Sequence, residues 1–138
     1  MRIVINKIIP FVGFKAITIW PFIFVREDCI QRYTTTDDRH EEIHGRQQLE
    51  VLLVALVLAS ALFFLGCGWW SLLMLPLYFA WYGIEYLIRI LLYRNTKAAY
   101  RNISFEQEAY TYETDVAYLN CRKCFEWLTF LFKKTIPY

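Results

Sequence analysis

The chain has 138 residues, one domain's worth, and 57% of them are hydrophobic against 20% charged, the reverse of the balance a disordered segment needs. With 15 Lys+Arg against 13 Asp+Glu, the net charge of +2 is too near neutral for a nucleic-acid binder, and four cysteines do not make a disulfide scaffold. A mean hydropathy of +0.29 is high for a soluble chain of this size and points to a membrane-associated protein.

Residues 1–35 read as short strands. Ile, Val, Phe and Trp are punctuated by Pro10, Gly13 and Pro21, so strands are expected at 3–5, 14–19 and 22–26, with Trp20-Pro21 joining the last two. The same punctuation, with Lys15, argues against a signal peptide. The polar run 34–38 suits a loop ending in a helix N-cap at Thr36 or Asp37, and a helix is expected over 37–48.

Residues 51–84 hold no charged residue and no histidine, which is too long for one ordinary span of about 20 residues. Gly66-Cys67-Gly68 interrupts the run and favours a turn. A helical hairpin over 49–93 is therefore expected, with legs at 49–65 and 69–93 and a kink or late start at Pro76. Trp69, Trp70, Trp81 and Tyr82 suit interfacial depths, and Glu85 and Arg89 share a face and can neutralise each other. Arg32, Arg39 and Arg46 precede the hairpin, and Arg94, Lys97 and Arg101 follow it, which places both ends on the cytoplasmic side. A buried hairpin in a soluble core is the alternative.

A third helix is expected over 104–120, because Ser104 and Gln107 have the spacing of a capping box. In residues 121–138, Phe125, Leu128, Phe130, Leu131 and Phe132 are flanked by Arg122, Lys123, Lys133 and Lys134, as in an interfacial amphipathic helix or a terminal helix packed on the domain.

The only two histidines are His40 and His44, in His40-Glu41-Glu42-Ile43-His44, an HExxH. On a helix, positions i and i+4 share a face, so both imidazoles can reach one ion, and neutral imidazole suits Zn2+. Glu41 can then reach a water on that ion and act as general base. Catalytic zinc takes a third protein ligand, and no histidine remains. Glu106 is the choice, with the small Ala109 on its face allowing close helix approach. Glu108, the alternative, lies about 200° away around the helix. Gln48 could hold a ligand or a substrate carbonyl, and Gly45 inside a helix suggests that another backbone comes close.

HExxH followed on a later helix by E-x-x-A resembles the gluzincin metallopeptidases. The order HExxH, apolar hairpin, E-x-x-A resembles integral-membrane peptidases of the HtpX type. The chain also resembles short bacterial proteins carrying H-E-x-I-H-x-x-Q-Q and R-N-I-S-F-E-x-E-A-Y, present here at 40–48 and 101–110. The resemblance implies a mainly α fold with a small N-terminal β-hairpin or edge sheet, and His40, His44 and Glu106 as zinc ligands with Glu41 as base. The membrane peptidases carry Asp after the Ala of E-x-x-A. Here Tyr110 stands there, a residue that could donate to an oxyanion or simply pack.

Cys121 and Cys124 form a CxxC without a second pair or a βαβ context and read as free thiols. Asn102-Ile103-Ser104 fits a glycosylation sequon, but its serine is better used as a cap. No nucleotide-binding glycine motif is present. The expectation is a single-domain zinc metallopeptidase of the bacterial inner membrane, with its active site on the cytoplasmic side. Its partners would be a peptide or protein substrate and membrane lipid, with no nucleic acid. The competing reading is a non-catalytic zinc-binding or scaffold protein with a membrane hairpin.

Overall fold

The computed structural model describes residues 1–11 and 13–133. It is mainly helical, with a small mixed sheet at the N-terminus. Strands β1 (Arg2–Asn6), β2 (Ala16–Ile19) and β3 (Phe22–Arg26) lie in the order β1-β3-β2, with β1 parallel and β2 antiparallel to β3. Trp20 and Pro21 make the turn between β2 and β3, as the sequence suggests. Ile23 and Val25 of β3 are fully buried, and Thr18 of the edge strand β2 is nearly so. A 3-10 turn, Glu27–Arg32, leads to the first long helix.

That helix, α1 (Thr35–Leu62), starts earlier than expected. Its N-cap is Thr34, because Asp37 sits three residues on and the two close a reciprocal capping box: the Asp37 N–H donates to Thr34 Oγ1, and the Thr34 N–H donates to the Asp37 carboxylate at 2.8 Å. The expected boundary between an HExxH helix and a hairpin leg at 48/49 does not exist. No glycine or proline breaks the run after Gly45, so one 28-residue helix carries the motif and continues as the first leg. Its buried face, His40, His44, Gln47, Val51, Ala55 and Ala59, recurs at helical spacing and turns from polar to apolar along its length.

A wide turn follows at Phe63–Cys67, with Gly66 at φ 96°, a left-handed conformation that glycine adopts without steric cost. A 3-10 segment, Gly68–Met74, begins the return and packs on α1, where Ala55 and Ala59 leave room. Helix α2 (Leu77–Tyr93) starts late, with Pro76 as its N-cap. It ends at Arg94, in the left-handed region at φ 51°. Asn95 then caps α3 (Thr96–Arg101), a short helix the sequence did not announce.

Helix α4 (Ser104–Tyr112) carries Glu106. Its start departs from the expected capping box. Ser104 lies inside the helix, Ile103 is the N-cap, and the caps come from α2: Glu85 accepts from the Ser104 N–H at 2.8 Å and from its hydroxyl at 2.7 Å. Arg89 neutralises Glu85 at 3.0 Å, as their spacing suggests, and also donates to the Leu131 carbonyl. The expected helix over 104–120 stops at Tyr112, since Asp115 turns its carboxylate onto the Ala117 N–H, a local turn that competes with helix. The short α5 (Tyr118–Cys121) follows. Asn102 is buried and bonded to Ala98 and Gln107, so the sequon is no exposed acceptor. Beyond α5, the described part of the C-terminal segment packs on the domain through Trp127 and Phe130 in a 3-10 turn, Glu126–Phe130. Residues 134–138 of the amphipathic stretch lie outside the described residues.

Two apolar clusters hold α1, α2 and α4 together. One joins Val51, Tyr78, Ile103, Phe105 and Trp127. The other, Ile43, Ala109 and Tyr118, confirms that Ala109 is where α4 meets α1. The stretch Thr35–Met74 includes an 18-residue window of mean hydropathy 2.6, long and apolar enough to cross a membrane, and only 17% of that window is buried.

Candidate metal centre

The register of α1 against α4 brings His40, His44 and Glu106 together. Their ligand atoms lie within 4.8 Å of one another, the arrangement that could hold a metal ion. His40 Nε2 and His44 Nε2 are 3.1 Å apart, and Glu106 oxygens lie 3.4 Å from the first and 3.3 Å from the second. Ligands about 2.0–2.1 Å from a tetrahedral ion stand about 3.3 Å from one another. Each of these contacts is near that spacing, the two carboxylate contacts being made by different oxygens, Oε2 toward His40 and Oε1 toward His44.

Hydrogen bonding decides which nitrogens are free. The carboxylate of Glu113 faces His40 Nδ1 at 2.9 Å and can only accept, so Nδ1 carries the proton. Gln47 donates its amide N–H groups to the Phe105 carbonyl and to Glu108, which orients its carbonyl oxygen toward His44 Nδ1 at 2.8 Å. Both rings therefore present a bare Nε2 to the same point, as carboxylate- and amide-oriented metal ligands do. Glu106 accepts from the Tyr82 hydroxyl at 2.8 Å through one oxygen, while its other oxygen is buried with no hydrogen-bond partner. Three converging acceptors and one orphaned buried oxygen need positive charge between them. The donor set, two imidazoles and a carboxylate, suits zinc.

Without an ion, that charge is a proton. Burial works to lower the pKa of His40, but the carboxylates of Glu106 and Glu113 prevail and push it up to about 10. His44 is raised against burial by Glu106, and Glu106 is held well below the usual carboxylate range, against its burial, by the two histidines.

Glu41 accepts from the Thr18 hydroxyl at 2.9 Å, and burial raises its proton affinity despite the histidines beside it. Its side chain lines both cavities that meet at the centre: a bay of about 720 Å³ and a smaller chamber of about 270 Å³. Tyr110 lies in the bay with its ring edge-on to His40, centroids 4.7 Å apart, and the Arg101 guanidinium is 4.6 Å from the tyrosine ring centroid. Burial and the Glu106 charge raise its phenol to about 12, so it stays protonated.

Other candidates go elsewhere. Glu108, the alternative ligand, is fully buried, bonded to Arg122, Tyr118 and Gln47, and turned away from the centre because it lies on another face of α4. Arg122 also pairs with Glu50. Gln48 spends its amide on the fold. It clamps the free edge of β2, donating to the Thr18 carbonyl at 2.7 Å and accepting from the Trp20 N–H at 2.9 Å. Gly45 makes room for a side chain, not a backbone: a Cβ there would stand 2.1 Å from Met1 Sδ. Cys121 and Cys124 are free and exposed.

Glu113, Gln47, Tyr82 and Thr18 were not foreseen as partners of the site. Glu113 had a signal, since it follows Glu106 by seven residues, two helical turns. It supplies His40 with a carboxylate where Tyr110 stands in place of the expected Asp.

No family model matches the chain, and no curated protein or solved structure matches it.

Proposed function

We propose that this chain is a membrane-associated zinc metallopeptidase that hydrolyses amide bonds in peptides. The observation that supports it most is the convergence of two bare imidazole nitrogens on the Glu106 carboxylate, one of whose oxygens is orphaned, beside a buried glutamate that faces open cavities. A zinc ion held by His40, His44 and Glu106 would supply Lewis acidity to a substrate carbonyl and make water a better nucleophile.

The chain's own groups do the rest. Glu41 accepts the proton of the attacking water and passes it to the leaving amine, a role suited to a carboxylate whose proton affinity is raised by burial. Thr18 fixes that carboxylate from β2. Glu113 and Gln47 hold the two rings in the tautomer that leaves Nε2 open. The edge strand β2, clamped by Gln48 at Thr18 and Trp20, lines both cavities at Ala16, where an extended chain can lie beside it. The exposed apolar legs support attachment to a bilayer.

The second reading is a zinc-binding scaffold without turnover. Closed structural sites have four protein ligands, and among the described residues three converge here. Purified protein analysed for zinc alongside His44→Ala and Glu106→Ala tests the centre. Near-stoichiometric zinc in the wild type, lost in both variants, is expected, and no zinc even after reconstitution would sink the proposal. Peptide cleavage by the wild type and none by Glu41→Gln, with zinc retained in both, separates enzyme from scaffold.

A further inference from the structure

The two cavities differ in chemistry and meet at the centre. His44 and Glu106 line the smaller chamber, His40 lines the bay, and Glu41 lines both. The two linings share Phe14, Ala16, Glu41, Tyr86 and Tyr100, so an extended chain laid at the centre can reach both. The chamber is walled by Phe11, Phe14, Ile17, Phe79 and the rings of Tyr78 and Tyr82. At about 270 Å³ it falls below the roughly 300–1,000 Å³ of a drug-sized ligand site, so it takes a large side chain rather than a lipid tail or a helix. Phe79 belongs to α2, whose exposed apolar face continues along the hairpin.

The bay carries Lys15, Lys97 and Arg101. Its acidic groups other than Glu41 are already engaged: Asp37 with Lys15 at 2.9 Å and with Thr34, and Glu113 with His40. Lys97 and Arg101 sit four apart on α3, and among the described residues neither meets a carboxylate within ion-pair distance. The Arg101 guanidinium instead lies against the Tyr110 ring. The bay thus presents two cations without a carboxylate partner among the described residues, Lys97 and Arg101, on a wall the apolar chamber does not share.

We propose that the groove selects a peptide with a large apolar residue on one side of the scissile bond and an acidic group, a side-chain or terminal carboxylate, on the other. This inference rests on the peptidase reading. It is tested on zinc-loaded Glu41→Gln protein in mild detergent, with fluorescein-labelled octapeptides read by anisotropy. The central pair is Phe and Glu in both orders, with controls replacing Glu by Lys or Phe by Ser. In one of the two orders, the Phe/Glu peptide is expected to bind at least ten-fold tighter than either control. Adding Lys97→Glu and Arg101→Glu is expected to reverse the Glu-over-Lys preference, with zinc content and circular dichroism unchanged. Equal binding of Glu and Lys peptides in both orders, or a preference untouched by the charge reversal, would overturn the proposal. Incubation of the same peptides with wild-type protein keeps the two readings apart. Selective binding without cleavage supports the groove and defeats the peptidase. Cleavage indifferent to charge defeats the groove and leaves the peptidase standing.

Discussion

His40 and His44 each commit one ring nitrogen to the protein and leave the other bare. The partners that enforce this, Glu113 and Gln47, should matter nearly as much as the ligands. Glu113→Ala and Gln47→Ala are each expected to weaken zinc binding about 10–100-fold, measured by competition with a chromophoric chelator. Glu41→Gln should bind zinc normally and lose turnover by about 10²–10⁴-fold, as removal of a general base does. Tyr110→Phe separates packing from catalysis. Loss of an oxyanion donor costs about 10²–10³-fold, and the edge contact with His40, which Phe keeps, leads us to expect less. The same residues set a pH response. In the metal-free protein His40 has its pKa raised from 6.5 to about 10, burial being outweighed by Glu106 and Glu113. That pairing contributes stability fully present below about pH 6.5 and lost as pH rises through about 10. Zinc must displace the proton, so zinc affinity runs the other way and strengthens with pH. Thermal melts from pH 6 to 10 should show the metal-free protein weakening and the zinc-dependent increment growing.

At the scale of elements, the site depends on how α4 is anchored. Its first turn is capped by Glu85 from α2, itself neutralised by Arg89. Removing one partner of a buried pair leaves the other uncompensated, at a cost of about 3–5 kcal/mol. Glu85→Ala is expected to fall in that range in chemical denaturation and to loosen zinc binding, because α4 carries Glu106. Thr34→Ala removes half of a capping box at the exposed end of α1 and should cost only about 1 kcal/mol. The difference follows from burial: water can replace the Thr34 cap but has little access to Arg89.

At the scale of the molecule, one helix joins the metal centre to the apolar hairpin. The part of the first leg beyond Glu50 rises on the order of 18 Å before the turn, short of a hydrocarbon core of about 30 Å. Phe64, Leu65, Trp69 and Trp70 at the tip are all more than three-quarters exposed. The whole tip is uncharged, and the proposed attachment to a bilayer would place it within the membrane rather than in water beyond it. An Asp near the middle of a bilayer costs about 2.5–3.5 kcal/mol. Leu65→Asp is therefore expected to reduce flotation with phospholipid vesicles by about two orders of magnitude while leaving zinc content unchanged. Flotation equal to wild type, or a wild type that stays in the aqueous fraction, would count against membrane insertion.

Much of this was legible in the residues alone. Local signals sufficed wherever one element satisfies itself: the strands between prolines and glycines, the turn at Gly66-Cys67-Gly68, the late start after Pro76, the i,i+4 pairing of Glu85 with Arg89 and the shared face of His40 and His44. Glu106 could be named because the chemistry of zinc restricts ligand types and Ala109 marks a close approach. Tertiary structure decided whatever depends on a partner distant in the chain. The cap of α4 comes from Glu85 rather than from Gln107, Gln48 serves β2 rather than a substrate, and Met1 rather than a backbone explains Gly45. Glu108 turns to Arg122, while Glu113 turns to His40. A carboxylate buried against two possible cations goes to whichever lies on its own side of the helix, and that side is fixed only when α1, α2 and α4 pack.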